Sequence, residues 1–379
     1  MKRRLMSLLG LLLAFALVAA ACGGSDAEES TDDSAEETTT EASSDDASAD
    51  ADDAGDDAGD DAMSGDMPTA ADIALVLEGT IEEGWNTAMI QALDRLTADA
   101  PHDLELSVTI VENVDYADGE RIARDLAGSG DYEIIIMHSA FVDGTNAVAP
   151  DFPDIAFGLS GSGNDAAIGG NVFWIDVFIH EPAYLMGMIA GSMTETNQLS
   201  AVAGFPFPNV NAPVHAFIDG AESVNPDVEF SVTYIESWFD AVTANESANA
   251  QIAAGSDMIY AERFGPVEAA AANDGVYAFG HFTDQSSLNP DLVLASALAL
   301  WDPTVTDIID AWYAHVTEGA PYEAPVEERI VYTSMVDGGS DITELSASVP
   351  EDVAALVAET REAILAGEFE VPFDDTPFE

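Results

Sequence analysis

From residue 73 onward, short runs of Val, Ile, Leu and Ala alternate with stretches whose apolar side chains recur at helical spacing. That alternation constrains the chain more than any other feature, because strand and helix taking turns over short loops is the pattern of βαβ units and parallel sheets. The first unit sets the type. The apolar run 73–77 meets the turn EGTIEEGWN (78–86), and Trp85, Ala88, Met89, Ala92, Leu93 and Leu96 then follow at i, i+3, i+4 spacing. In open α/β sheets ligands bind outside the carboxyl ends of the strands. Here that turn carries a large aromatic, Trp85, beside an amide, Asn86.

The pattern continues with strands at 104–114, 134–137 and 155–159 and helices at 118–127 and 141–149, which make a first lobe, and the run 172–175 with Trp174 belongs to the crossing that follows. The glycine-rich stretch 159–171 reads as a loose connector toward a second lobe. Residues 181–196 read as a helix that is apolar nearly all round in its middle, hence buried, and too short for a membrane span. Strands at 199–203, 228–235, 258–261 and 276–279 then alternate with helices at 212–223, 241–254 and 267–273. A further extended run at 292–298, a helix at 304–317, a strand at 329–334 and a last helix at 350–367 exceed the needs of one lobe, so the chain is expected to cross back more than once. The expected division is 70–178 with about 299–320 in one lobe, and 179–298 with about 321–379 in the other.

Residues 1–22 read as a targeting segment. Lys2, Arg3 and Arg4 precede an apolar stretch, and small residues lead into Cys22, the single cysteine. This run resembles the lipobox of bacterial lipoproteins, in which the cysteine carries the lipid; an ordinary signal peptide is the alternative. Residues 23–69 are Asp, Glu, Ser, Thr, Ala and Gly with hardly an apolar side chain, the composition of an extended, self-repelling tether. The chain has 72 acidic residues against 9 basic ones and a formal charge of −63. Beyond the leading segment it keeps only arginines, so no basic patch exists to neutralise a nucleic acid. Self-repulsion on this scale points to a saline medium that screens it, with plain surface solvation as the alternative.

No enzyme motif holds. A phosphate loop needs a lysine, the dinucleotide glycine triplet is missing after residue 77, and Gly158–Gly163 resembles a nucleophile elbow without a helix to follow it. The histidines are dispersed without an i, i+4 pair, so neither a metal site nor another cofactor is expected. His138 and His281 sit just after apolar strands and read as satisfied loop residues. What recurs is an aromatic residue beside polar or acidic ones where strands end. Trp85 and Asn86 follow the first strand, and His138, Phe141 and Asp143 follow the third. Trp238 and Asp240 follow the run 228–235, while His281, Asp284 and Gln285 follow the run 276–279. Packing between helix and sheet would account for any one aromatic. Four such turns at carboxyl ends point to a shared crevice.

The turn EEGWN, the stretch SAFVDGTNAVAPDFPDIAF (139–157), the helix EPAYLMGMIAG (181–191), FPNVNAPVHAFIDGAESVNPDVEF (207–230), ESWFDAVTANESA (236–248) and FTDQSSLNPDLVLASALALW (282–301) carry a resemblance. Together with the lipobox they resemble the basic membrane protein family, the PnrA-like substrate-binding lipoproteins of ABC importers. The resemblance implies an α/β fold of two Rossmann-like lobes with parallel sheets joined by three crossovers, the type I periplasmic-binding-protein fold, closing on a purine nucleoside. It implies that Trp85 and Trp238 stand where the family stacks aromatics on the base from opposite lobes. It further implies that Asp143 matches a ligand-binding aspartate, that Glu78 stands for the acid after the first strand, and that Gly265 sits near a glycine that approaches the ligand by its backbone. Phe282 stands in place of the aspartate that holds the ribose, and Ala299 in place of a pocket lysine, so a planar ring is better supported than a whole nucleoside.

The expected function is therefore that of a lipid-anchored, extracytoplasmic solute-binding protein. It would be monomeric, take a nucleoside or a related heterocycle at Glu78, Trp85, Asn86, Asp143, Trp238, Asp240, Gly265, Phe282 and Asp284, and hand it to a membrane permease without catalysis. A sugar or other polar ligand, a nucleoside-type hydrolase on the same frame, and a receptor that signals without transport remain open alternatives.

Overall fold

The computed structural model describes residues 67–139, 141–161, 169–324 and 331–378. The leading segment with Cys22, the acidic stretch as far as residue 66, most of the glycine-rich connector (162–168) and the start of the strand expected at 329–334 lie outside the described residues.

Strand β1 (Ala70–Leu77) shows why the sheet forms. Its residues alternate between two apolar layers, with Ile73, Leu75 and Leu77 in one and Ala74 and Val76 in the other, so helices must cover both faces. One cover is α1 (Gly84–Asp99), which buries the stripe Ala88, Met89, Ala92, Leu93 and Leu96 and ends where Ala100 turns left-handed. The lobe continues through β2 (Glu105–Val111), α2 (Gly119–Ser129), β3 (Ile134–His138), α3 (Val142–Val148), β4 (Ala156–Ser160) and β5 (Val172–Val177). Pairing is parallel throughout, in the order β2-β1-β3-β4-β5.

The second lobe repeats that order. Helix α4 (His180–Met193) is followed by β6 (Gln198–Ala203), α5 (Pro208–Val224), β7 (Glu229–Tyr234), α6 (Ala241–Ala254), β8 (Met258–Ala261), α7 (Pro266–Ala271), β9 (Tyr277–Phe282) and β10 (Val293–Ala299). The sheet runs β7-β6-β8-β9-β10, again parallel. Helices α4 and α5 lie against each other backbone to backbone. A Cβ on Gly187 would stand 1.9 Å from the carbonyl oxygen of Phe217, and one on Gly220 2.0 Å from that of Tyr184. No described helix is long and apolar enough to cross a membrane.

Three segments pass between the lobes. The first leads from β5 into α4. The second leads from β10 into α8 (Asp302–Glu318), which packs on β3, β4 and β5 of the first lobe. The third leads from β11 (Val331–Thr333) to β12 (Ser340–Ile342), after which α9 (Glu351–Leu365) packs on α4. That third crossing falls later than the position near 321 expected from sequence, because β11 pairs in parallel with β5 in the first sheet. The short β12 was not foreseen; it closes the second sheet antiparallel to β10. The crossings are tied to one another. Phe178 N donates to Thr333 O at 2.9 Å, Leu300 N to Gly339 O at 2.9 Å, and Met335 N to the Glu181 carboxylate at 2.6 Å.

Asp176 lies in this hinge, on β5 opposite Tyr332, and is buried. Its Oδ1 accepts from Val177 N, whereas Oδ2 has no hydrogen-bond partner among the described residues. Burial pushes its pKa up to about 7. The folded protein therefore holds a proton that the unfolded chain releases near its ordinary value of 3.8, so stability contributed by this group falls as pH rises between about 4 and 7. Asp176→Asn should remove that slope, roughly 1.4 kcal/mol per pH unit. Urea unfolding should show no difference from wild type below pH 4 and a clear gain for the variant above pH 7. A constant difference at every pH would contradict the burial of an ionisable carboxyl here.

Candidate functional site

Both sheets have the strand order in which the chain reverses direction between the first and third strands of each lobe, and crevices form at such switch points. A cleft of about 640 Å³, open mouth included, lies where the two reversals face each other. The first lobe lines it with residues following β1, β2, β3 and β4, among them Glu78, Trp85, Tyr116 and Ser139. The second lobe contributes residues following β6, β7 and β8, among them Phe207, Trp238, Glu262 and Arg263, and the last residue of β9, Phe282.

The Trp85 indole is a fixed shelf. Glu83 caps α1 by accepting from Asn86 N, which starts the helix one residue before Trp85 and aims its ring. One face of the indole stacks on His138, with centroids 5.1 Å apart and planes 15° from parallel. Phe282 and Trp301 meet the ring edge-on at 5.1 and 4.8 Å. His138 is itself locked, its Nε2 bonded to Trp85 O and its Nδ1 to Ser160 Oγ. Nε2 must donate to the carbonyl, so Nδ1 accepts from the serine hydroxyl. Burial lowers the pKa of this imidazole to about 3, and it stays neutral throughout the physiological range. The turn before Trp85 is held by Asn86 Nδ2, which donates to Thr80 O, and by Thr87 Oγ1, which donates to Ile81 O.

The opposite wall is also aromatic. Trp238 packs against Phe205 and Phe207, with centroids 4.8 and 5.8 Å away. Phe239, next to it, reaches across to the first lobe. A Cβ on Gly79 would stand 2.5 Å from its ring, so the lobes approach this closely only because residue 79 has none. Two lining residues other than glycine hold positive φ, Ser139 at 134° and Phe282 at 64°. Such backbone strain concentrates where a site over-determines the chain.

Charge in the cleft is carried by Glu78, Glu83, Glu262 and Arg263. Glu262 is buried and receives the guanidinium of its own neighbour as a fork, with Arg263 Nη2 donating to Oε1 at 2.6 Å and Nε to Oε2 at 2.9 Å. Gly204 N also donates to Oε2 at 2.8 Å. Burial raises the pKa of Glu262, and the adjacent guanidinium opposes that rise. The remaining arm of Arg263, Nη1, donates to Glu83 Oε1 at 3.2 Å and to Trp238 O at 3.3 Å. Burial also raises the pKa of Glu78, against a hydrogen bond from Tyr116 that lowers it.

Of the residues expected from sequence, Glu78, Trp85, Asn86, Trp238 and Phe282 are brought together in the cleft. Four are not among its lining, each for a local reason. Asp143 lies exposed in the first turn of α3. Asp240 caps α6 by accepting from Thr243 N and Oγ1, and lines an outer depression with Phe264 that shares Glu83, Trp238, Phe239 and Arg263 with the cleft. Gly265 has φ of 118° and admits a close approach of α6 to the start of α7, where a Cβ would stand 2.4 Å from Ala241 O. Asp284 accepts from Ser286 N in a turn. His138 and His281, expected in loops, are instead buried strand residues, His138 ending β3 and His281 lying in β9 with Nδ1 bonded to the Tyr260 hydroxyl, while Ala299 is buried in β10 opposite Ser340. Sequence reasoning missed Tyr116, Phe207, Phe239, Glu262 and Arg263. The pair Glu262-Arg263 did carry a signal, since it directly follows the apolar run 258–261 and holds one of the few cations of the chain.

The profile of a known family, described as ABC transporter substrate-binding protein PnrA-like, matches residues 70–322. The chain belongs to this family. A Haloferax volcanii relative, named "Putative ABC transporter glucose-binding protein TsgA13", is 33% identical over 294 residues, which cover 76% of this chain and 70% of that protein. A purine-binding protein of Brucella abortus is 29% identical, with 75% and 78% covered. Among solved structures, a solute-binding protein of an ABC transporter system from Conexibacter woesei superposes with a TM-score of 0.64 at 24% identity, covering 80% of this chain and 99% of that one. The fold is that of the two-lobed type I periplasmic binding proteins. Members of the PnrA-like family are the substrate-binding components of ABC transporters, so this chain is one that binds a small solute outside the cytoplasm and meets a permease.

Proposed function

We propose that the protein delivers an uncharged, ring-bearing solute to its permease, a purine nucleoside or related planar heterocycle first of all, and that Cys22 anchors it by a lipid to the outer face of the membrane. The observation that carries this reading is the convergence of Trp85 and Trp238 from opposite lobes on one cleft, with Phe282, Phe207 and Phe239 around them. Planar rings gain about 0.5–1.5 kcal/mol per aromatic partner beyond area burial. Closure of both walls on the ring would favour the state that the permease reads. The name of the Brucella relative supports this choice. A sugar is the second reading. It is favoured by the Glu262–Arg263 fork, a rigid polar group that suits hydroxyls, and by the name of the Haloferax relative. The acidic tether and surface suit a saline exterior, where screening removes most of their repulsion.

The charge of the cleft narrows the choice further. Three carboxylates face one guanidinium, each of whose nitrogens already donates to a carboxylate of the protein, so an anionic solute would meet mainly like charge. Thermal-shift screening in high salt against nucleobases, nucleosides and sugars, followed by calorimetry, should find one uncharged ligand bound per chain. Its phosphate ester should bind roughly 100-fold more weakly. Trp238→Ala should weaken a planar ligand about tenfold or more. A shift with sugars alone would transfer the assignment to the second reading, and unchanged affinity in Trp238→Ala would make that indole a packing residue.

A further inference from the structure

We propose that Arg263 is the positioning residue that latches the two lobes, and that its bond to Glu83 sets how far the empty protein is already closed. This rests on the reading of the chain as a solute receptor that works by closure, and holds whichever ring-bearing solute it takes. Among the described ion pairs, Glu83–Arg263 is the one that joins the lobes. Glu83 belongs to the turn between β1 and α1, and Arg263 follows β8. The other described arginine pairs, at Arg95, Arg121, Arg124 and Arg361, stay within one lobe, and their arginine side chains are at least a third exposed. The Arg263 and Glu83 side chains are 6% and 10% exposed.

The arrangement divides the work of the guanidinium. Glu262, in the same lobe, holds Nε and Nη2 by its fork and is itself fixed by Gly204 N, so that half persists when the lobes part. Only Nη1 reaches the first lobe. The guanidinium carbon lies over the Trp238 ring at 5.2 Å from its centre and over Phe282 at 5.9 Å, contacts that shield the charge from water. Glu83 is fixed in turn, because its second oxygen caps α1 through Asn86 N. The other ionisable groups around the cluster are Glu78, Glu82, Asp240 and His281, whose Nε2 lies 3.8 Å from Glu262 Oε1, together with the Tyr116 and Tyr260 hydroxyls. None of these supplies a second cation at neutral pH, because burial holds His281 well below its ordinary pKa. Two acidic lobes are thereby drawn together by a contact that bulk salt screens poorly, while salt does screen the repulsion between their surfaces. The pair forms only when the lobes meet, so it adds to closure and thus to apparent ligand affinity in the same proportion.

The test needs no ligand, so its outcome is independent of which solute binds. Spin labels at Thr80→Cys, on the rim of the outer depression, and Val242→Cys, an exposed position in the opposite lobe next to the rim residue Ala241, report lobe separation by pulsed electron paramagnetic resonance in a chain carrying Cys22→Ser. The starting protein should give a dominant short distance. Glu83→Gln, which keeps an oxygen for the cap but removes the charge, should move the closed-to-open ratio at least tenfold toward open. Arg263→Ala should do so further, the double variant no further than Arg263→Ala alone, and Arg263→Lys should recover part of the closed population. Should Arg263→Ala fail to fold, Glu83→Gln and Arg263→Lys carry the test. Distance distributions unchanged in both, or shifted equally by the exposed-pair control Arg95→Ala, would overturn the proposal.

Discussion

A guanidinium buried between two acidic lobes is tolerable only if its charge is matched where it sits, and the cleft is built around that requirement. Removing an ion of this size from water costs several kcal/mol unless good hydrogen bonds replace the hydration. Arg263 makes them by donating to Glu262, to Glu83 and to the carbonyl of Trp238, with the Trp238 and Phe282 rings beside it. Each partner comes from a different strand end, so the match exists only when β1, β7 and β8 terminate in the places that the two sheets give them. The aromatic walls follow from the same geometry. Trp85 is aimed by the cap that Glu83 provides, and Trp238 lies under the guanidinium that Glu83 also engages. Lobe packing, ring placement and charge are thus one arrangement seen three ways.

The lobes are equivalent in topology and unequal in what they contribute. Both use the order second-first-third-fourth-fifth, so both present a switch point to the cleft. The first lobe supplies a rigid shelf, Trp85 fixed by the neutral His138 and by Ser160 behind it. The second supplies the cation and most of the remaining aromatic surface. The three crossings that join them bond to one another, which makes the hinge a small sheet-like unit on which the lobes can turn as bodies.

Most of this architecture was legible in the sequence because it rests on periodicity. Apolar runs such as 73–77 and 134–137, and the helical stripe from Trp85 to Leu96, are local signals, and the helices and long strands lie where those signals put them. The third crossing was not legible. Strands β11 and β12 span three residues each, too few for a pattern, and they are defined by partners far away in the chain. The site divides in the same way. Trp85, Asn86, Trp238 and Phe282 end strands or open helices, and reach the cleft by position alone. Asp143, Asp240 and Asp284 occupy similar positions, but acids at helix starts and turns also serve the backbone beside them, as Asp240 and Asp284 do. Whether a carboxylate faces a neighbouring N–H or a cleft is decided by a turn of φ and ψ that composition does not encode. Glu262 and Arg263 escaped notice for the opposite reason, since their meaning depends on Glu83, 180 residues away.

The central claim is that the ligand lies between the lobes, against the aromatic walls and beside the Glu83–Arg263 contact. A crystal structure of the protein with the solute that stabilises it most against heat tests this directly. The account predicts density for a ring between Trp85 and Trp238, within reach of Asn86 and Glu262, with Arg263 still bonded to Glu83. Density in the outer depression bordered by Asp240 and Phe264, or elsewhere on the surface with the cleft unchanged, would contradict it.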